Sequence, residues 1–178
     1  MSIKMIILFI TIIIFSLGLL SCSSFLHERD VKSDKEIANE RFQRIIEALE
    51  NKDKEALKKM FSPNALDKVQ DIDNDIDYMM EFYKGKLESK DDDPAVVRSD
   101  SKDYGQKKSE LDCMYIFTTD EDTYLMFFID KIVDNKNIDN VGLYRLQIIN
   151  ESDKKEEFEG GGSEMMHAGI YRPDADKK

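Results

Sequence analysis

Residues 124–133, YLMFFIDKIV, constrain the fold more than any other stretch of the chain. Read as a β-strand, they put Tyr124, Met126, Phe128, Asp130 and Ile132 on one face and Leu125, Phe127, Ile129, Lys131 and Val133 on the other. Both faces are mostly apolar, so both must be withdrawn from water. Helices can cover one side. The other side needs a second chain or a folded-back C-terminal segment.

The helices are legible upstream of Gly85. Ser33 with Glu36 three positions on is a capping box. Ala38, Phe42, Ile45, Ile46 and Leu49 then recur at helical spacing, and Asn51 suits the stop. Asp53 caps a short second helix carrying Ala56, Leu57 and Met60. Ser62-Pro63 starts a third, expected to run to about Lys84 with Gly85 as its left-handed terminator. After Gly85 the pattern alternates. Strands are expected at 86–90, 95–104, 109–118, 123–133 and 141–149, with a short last one at 168–171 after the Gly160-Gly161-Gly162 loop. Three N-terminal helices packed on an antiparallel-rich sheet make an α+β domain.

The first residues give an address. Lys4 is followed by sixteen mostly apolar residues, 5–20, and then Ser21-Cys22. That run is short of the ~20 residues that span a bilayer. A charged start, an apolar core and small residues at the cut describe a secretory signal. A cysteine directly after the small residue resembles a bacterial lipobox, which implies cleavage before Cys22 and a diacylglycerol on its sulfur. The expected layout is a signal peptide over 1–21, a lipidated tether over 22–32, one domain over 33–173 and a polar tail over 174–178. The expected location is the outer face of the cell membrane. The expected membrane partner is reached through the lipid.

The whole chain carries a formal charge of −11 at pH 7. Phosphate backbones require Lys and Arg, so nucleic acid is not an expected partner. With Cys22 lipidated, Cys113 stands alone and no intrachain disulfide forms.

Residues 70–85, QDIDNDIDYMMEFYKG, hold four aspartates in seven positions. A calcium loop of the helix–loop–helix type needs glycine at its sixth position and glutamate at its twelfth. Counted from Asp71 those positions are Ile76 and Phe82. On a helix, Asp71 and Asp75 fall on one flank of the apolar stripe, and Asp73 and Asp77 on the other. They do not converge, so no metal site is assigned. Asp73, Asp77 and Glu81 form a ridge of like charge that calls for a cation from the sheet or a partner.

The remaining chemistry is sparse. His27 and His167 lack co-ligands at metal spacing. The loop Gly161-Gly162-Ser163-Glu164-Met165 lacks the last glycine of a nucleophile elbow. Cys113 shares a strand with Leu111, Tyr115 and Phe117 and reads as a buried thiol. Asp130, among Tyr124, Met126 and Phe128, is one catalytic candidate, because burial raises a carboxyl pKa. The competing reading is a carboxylate that is hydrated or paired. Asp77 is the second candidate. No cofactor is implied.

The segments DKEALKKMFSPNAL, DIDYMMEFYKGK, NVGLYRLQII and AGIYRP resemble a family of Firmicutes lipoproteins classed as a domain of unknown function. That family is similar to the nuclear transport factor 2 and cystatin-like group. The resemblance implies a curved sheet wrapped around a long helix, a cone with an internal pocket. Tyr78 and Phe82 from the third helix, and Tyr124, Met126, Phe128 and Tyr144 from the sheet, would then line that pocket. Tyr144 is assigned inward by sharing a face with Leu146 and Ile148. The expected function is a binding module for a small molecule or an envelope protein. The alternatives are a small-molecule enzyme using Asp130 or Asp77, and a structural envelope protein acting as a homodimer.

Overall fold

Ser33 opens the first helix by the expected exchange. Its hydroxyl accepts from the Glu36 amide, and the Glu36 carboxylate accepts from the Ser33 amide at 2.6 Å. In the computed structural model, which describes residues 32–158 and 167–172, this helix is α1 (Asp34–Glu50). It buries Ala38, Phe42, Ile45, Ile46 and Leu49, the stripe expected from the spacing. Asn51 ends it, and Lys52 follows in the left-handed region at φ 52°. From there Lys52 donates to the carbonyls of Met80 and Tyr83, satisfying groups that a helix end leaves without partners. Asp53 caps α2 (Lys54–Lys58), and Ser62 caps α3 (Pro63–Leu66).

The long third helix expected from Pro63 to Lys84 is instead two helices. α3 stops after one turn, and α4 (Ile72–Phe82) begins afresh, with the Asp71 carboxylate accepting from the Asn74 amide. An aspartate that caps its own downstream amides competes with continued helix. Val69 leaves the helical path and packs beneath Gly169, where a Cβ would stand 2.5 Å from a valine methyl. The described residues therefore carry four helices ahead of the sheet, not three.

The strands fall close to their expected places: β1 (Leu87–Lys90), β2 (Ala95–Asp103), β3 (Gln106–Thr119), β4 (Thr123–Asp134), β5 (Gly142–Asn150) and β6 (Gly169–Ile170). The sheet order is β1-β3-β4-β5-β6, with β2 pairing the other half of β3. β6 lies parallel to β5, and the other pairings are antiparallel. The result is an α+β domain built on an open, antiparallel-rich sheet.

Register explains the two-sided burial of β4. Cys113, Phe128 and Leu146 form one cross-strand row, and Tyr115, Met126 and Ile148 the next. These side chains join Phe42, Ile45 and Met79 in the helix-side core. Leu125, Phe127, Ile129 and Ile149 form a second cluster on the opposite face. Phe158 and Tyr171 pack on it, with the Phe158 ring 5.7 Å from that of Phe127. A turn of helix, α5 (Lys154–Glu157), delivers Phe158, and Gln147 Nε2 donates to the Glu157 carbonyl at 3.1 Å. Of the two covers foreseen for this face, the C-terminal segment supplies these contacts.

Gly85 holds φ 81°, and a Cβ there would lie 2.3 Å from Asp120 Oδ1, the atom that accepts from the Lys86 amide. Gly85→Ala is expected to lower stability by about 1–2 kcal/mol, read from the urea midpoint at unchanged slope.

Candidate functional site

Tyr124, Met126 and Phe128 face the helices, as alternation predicts, and are at most 1% exposed. The Phe82 ring meets Tyr124 edge-on at 5.9 Å, and Tyr78 stacks on Phe82 at 5.8 Å. Tyr83 and Phe117 flank Tyr124 at 5.6 and 5.5 Å. The Tyr124 hydroxyl accepts from the Lys84 amide at 3.1 Å, so its polar tip serves the backbone. These rings fill the space between α4 and the sheet.

Tyr144 departs from the expected face. Ile129 pairs with Arg145, but Asp130 pairs with Leu143, so Tyr144 is the extra residue of a bulge. Leu143 takes the helix-side place opposite Asp130. The Tyr144 ring lies under two ammonium groups, Lys131 at 3.9 Å and Lys68 at 5.2 Å. One inserted residue changes the parity of everything before it in the strand, which alternation alone does not reveal.

Asp130 is 2% exposed and held by a two-pronged ion pair. Arg41 Nε donates to Oδ2 at 2.7 Å and Nη2 to Oδ1 at 3.1 Å. The paired alternative is the observed one, and the pair ties α1 to β4. Asp77 is exposed on α4 and paired with Lys54 of α2. The two catalytic candidates are not brought together.

The four aspartates go to four separate duties. Asp71 caps α4, Asp73 pairs with Lys58 at 2.7 Å, Asp75 with Arg172 at 3.3 Å, and Asp77 with Lys54. The cations facing Asp73 and Asp77 come from α2 rather than from the sheet. Arg172 also lies 5.2 Å over the Tyr78 ring. Cys113 is buried, and that burial, with the Asp130 carboxylate adding to it, pushes its thiol pKa up. Cys22, His27 and the triple glycine lie outside the described residues.

A cavity of about 210 Å³ opens elsewhere, across the ends of β2, β3 and β4. Two cross-strand rows build it: Ser99, Glu110 and Lys131, then Ser101, Lys108 and Asp134. The first row neighbours the Arg98–Leu111–Asp130 row, so by alternation it faces away from the helices. Lys131 is partly buried here, and among the described residues its ammonium has no ion-pair or hydrogen-bond partner. Burial first, then Lys68 and Lys108, holds its pKa below the usual lysine range, with Glu110 pulling the other way. Asp134 is the opposite case. Asn140 Nδ2 at 2.8 Å, the amides of Lys136 and Asn137 at 3.1 Å and Gln106 Nε2 at 3.3 Å all donate to it. Led by the Asn140 bond, they pull its pKa to about 2.

A second cavity, on the α1–α2 surface, is bounded by exposed Arg44, Glu47, Asn51 and Lys59, with no comparable buried charge. Lys131, Lys108 and Glu110 were not singled out by sequence motif. The available signal was two adjacent charges, Asp130 and Lys131, inside an otherwise uncharged ten-residue stretch that must be covered on both faces.

Residues 44–151 match the family model described as "Domain of unknown function (DUF5104)". The chain belongs to the DUF5104 family. No curated protein matches it. The DUF5104 match begins within α1 and ends just after β5, so it includes the cavity residues Ser99, Lys108, Glu110 and Lys131. It stops short of Phe158 and Tyr171, which cover the second face.

Two outcomes follow for this DUF5104 domain. Arg41→Ala is expected to cost about 3–5 kcal/mol, because it leaves a buried carboxylate without its partner. Arg41→Met with Asp130→Leu should recover most of that loss in urea titrations. The second concerns Asp134, whose folded-state pKa lies below its unfolded value of ~3.9. Its contribution to stability is complete above that value and is lost as pH falls toward about 2. Asp134→Asn should flatten the decline of the melting temperature across that window.

Proposed function

We propose that this protein is a lipid-anchored binding module on the outer face of the cell membrane, holding a small polar molecule in the cavity across β2, β3 and β4. The observation that carries the reading is Lys131, a partly buried ammonium on the wall of an open cavity that forms no ion pair among the described residues, although Glu110 lies opposite it on β3. Withdrawing a charge from water without a bonded partner is costly, and here desolvation together with Lys68 and Lys108 outweighs the pull of Glu110 and Asp134, so an anionic ligand would supply the contact that is missing. The lipobox at Cys22 supports the anchor. The proposed architecture is the cone of the nuclear transport factor 2 group. The seventeen-residue α1 packed on the helix side of a six-stranded sheet supports it. Binding is favoured over catalysis because Asp130 is committed to Arg41 and Asp77 to Lys54.

Cys22→Ala should move the protein from the membrane to the soluble fraction, or leave its precursor uncleaved. Unchanged processing and fractionation would refute the anchor. The binding reading is tested separately by melting the full chain with a set of small polar metabolites. Saturable binding raises stability by about 2.7 kcal/mol at a hundredfold excess over Kd. No shift with any of them would refute it.

A further inference from the structure

The walls of the cavity narrow the ligand. Its volume, about 210 Å³, is below the ~300–1,000 Å³ of sites for drug-sized molecules, which limits the occupant to roughly the size of an amino acid. The charges sort by whether they are already engaged. Asp134 is satisfied by three donors of the turn that follows it and by Gln106 of β3, and Asp100 is paired with Arg98 at 3.1 Å. Lys131, Lys108 and Glu110 have no ion pair among the described residues. Lys68 adds a third positive charge from the Tyr144 side. The unengaged groups are therefore mainly cationic, with one carboxylate among them.

Their order across the sheet matters. Ser99, Glu110 and Lys131 stand side by side on three neighbouring strands. Adjacent strands lie ~4.8 Å apart, so a cation acceptor and an anion acceptor leave the backbone one strand apart. A molecule whose ammonium and carboxylate are a few bonds apart meets both at once. Ser99 and Ser101 offer hydroxyls beside them, and Val133 gives a short apolar wall.

Resting on the binding-module reading, we infer that the cavity takes a small zwitterion with excess negative charge, an acidic amino acid, with Lys131 and Lys108 on its carboxylates and Glu110 on its ammonium. A simple dicarboxylate satisfies the lysines but leaves Glu110 facing like charge. Inorganic phosphate does the same with fewer atoms to fill the space.

The test is calorimetric titration of the full chain in detergent with L-glutamate, succinate and inorganic phosphate. Glutamate should saturate the protein, succinate should bind more weakly, and phosphate weakest. Lys131→Met should weaken glutamate binding at least about tenfold, the loss expected for a charge-assisted hydrogen bond. Lys108→Met, at an exposed position, should weaken it less without disturbing the fold. Glu110→Gln should erase the preference for glutamate over succinate. The assignment is overturned by no saturation with glutamate, by glutamate binding unchanged in both lysine variants, or by phosphate binding best. A different metabolite that binds with an affinity untouched by Lys131→Met also overturns it, while leaving the binding-module reading intact.

Discussion

β4 is buried on both sides, and the rest of the domain is arranged to make that possible. Its helix-side residues complete a core with α1 and α4, and its other face receives Phe158 and Tyr171. Near its end it carries two charges in succession that alternation sends to opposite faces. Asp130 turns toward the helices and meets Arg41. Lys131 turns to the other side and meets the Tyr144 ring, with Glu110 opposite it on β3 but no ion pair among the described residues. A buried carboxylate is tolerated because its guanidinium partner is in place. The lysine has a π-face and the more distant field of Glu110 and Asp134, which compensate a cation in part. That asymmetry separates a charge engaged within the fold from the one on which the proposed binding site rests.

Two of the sheet's irregularities fall at the same end. The β3–β4 register shifts between Ser109 and Glu110, and the β4–β5 register between Ile129 and Asp130. Each shift adds a residue to one strand and bends it locally. The second moves Tyr144 to the margin, where it packs against both clusters and lies beneath Lys131. A continuous ladder would have left Tyr144 on the helix side, as its sequence position suggests. The bulges thus bring an aromatic and several polar groups together at a place where regular pairing would have kept them apart.

The acidity of the chain is spent locally. The aspartates of residues 71–77 act as a helix cap and as partners for Lys58, Arg172 and Lys54. Exposed pairs of this kind contribute little stability one by one. Their spacing does match α2 to α4, and Asp75 ties α4 to the C-terminal segment through Arg172. Such an array looks like a metal site in sequence, because a sequence shows the carboxylates and not the lysines that face them.

The caps at Ser33, Asp53 and Ser62, the apolar stripe of α1 and the six strands were determined by the sequence alone. Each depends on residues within a turn or a few positions of one another, and local periodicity reports such features directly. The break at Asp71 was also a local signal, but the stripe running through it concealed it. Only the tertiary structure decided that Arg41, 89 residues away, holds Asp130. It also decided that Tyr144 becomes the extra residue of a bulge at the margin of both clusters and that Lys131 faces a cavity beside Glu110 and Ser99. A bulge alters parity without altering composition, and an ion pair between distant residues leaves no periodic trace. These features depend on which strands and helices become neighbours, and that is fixed only when the chain has packed.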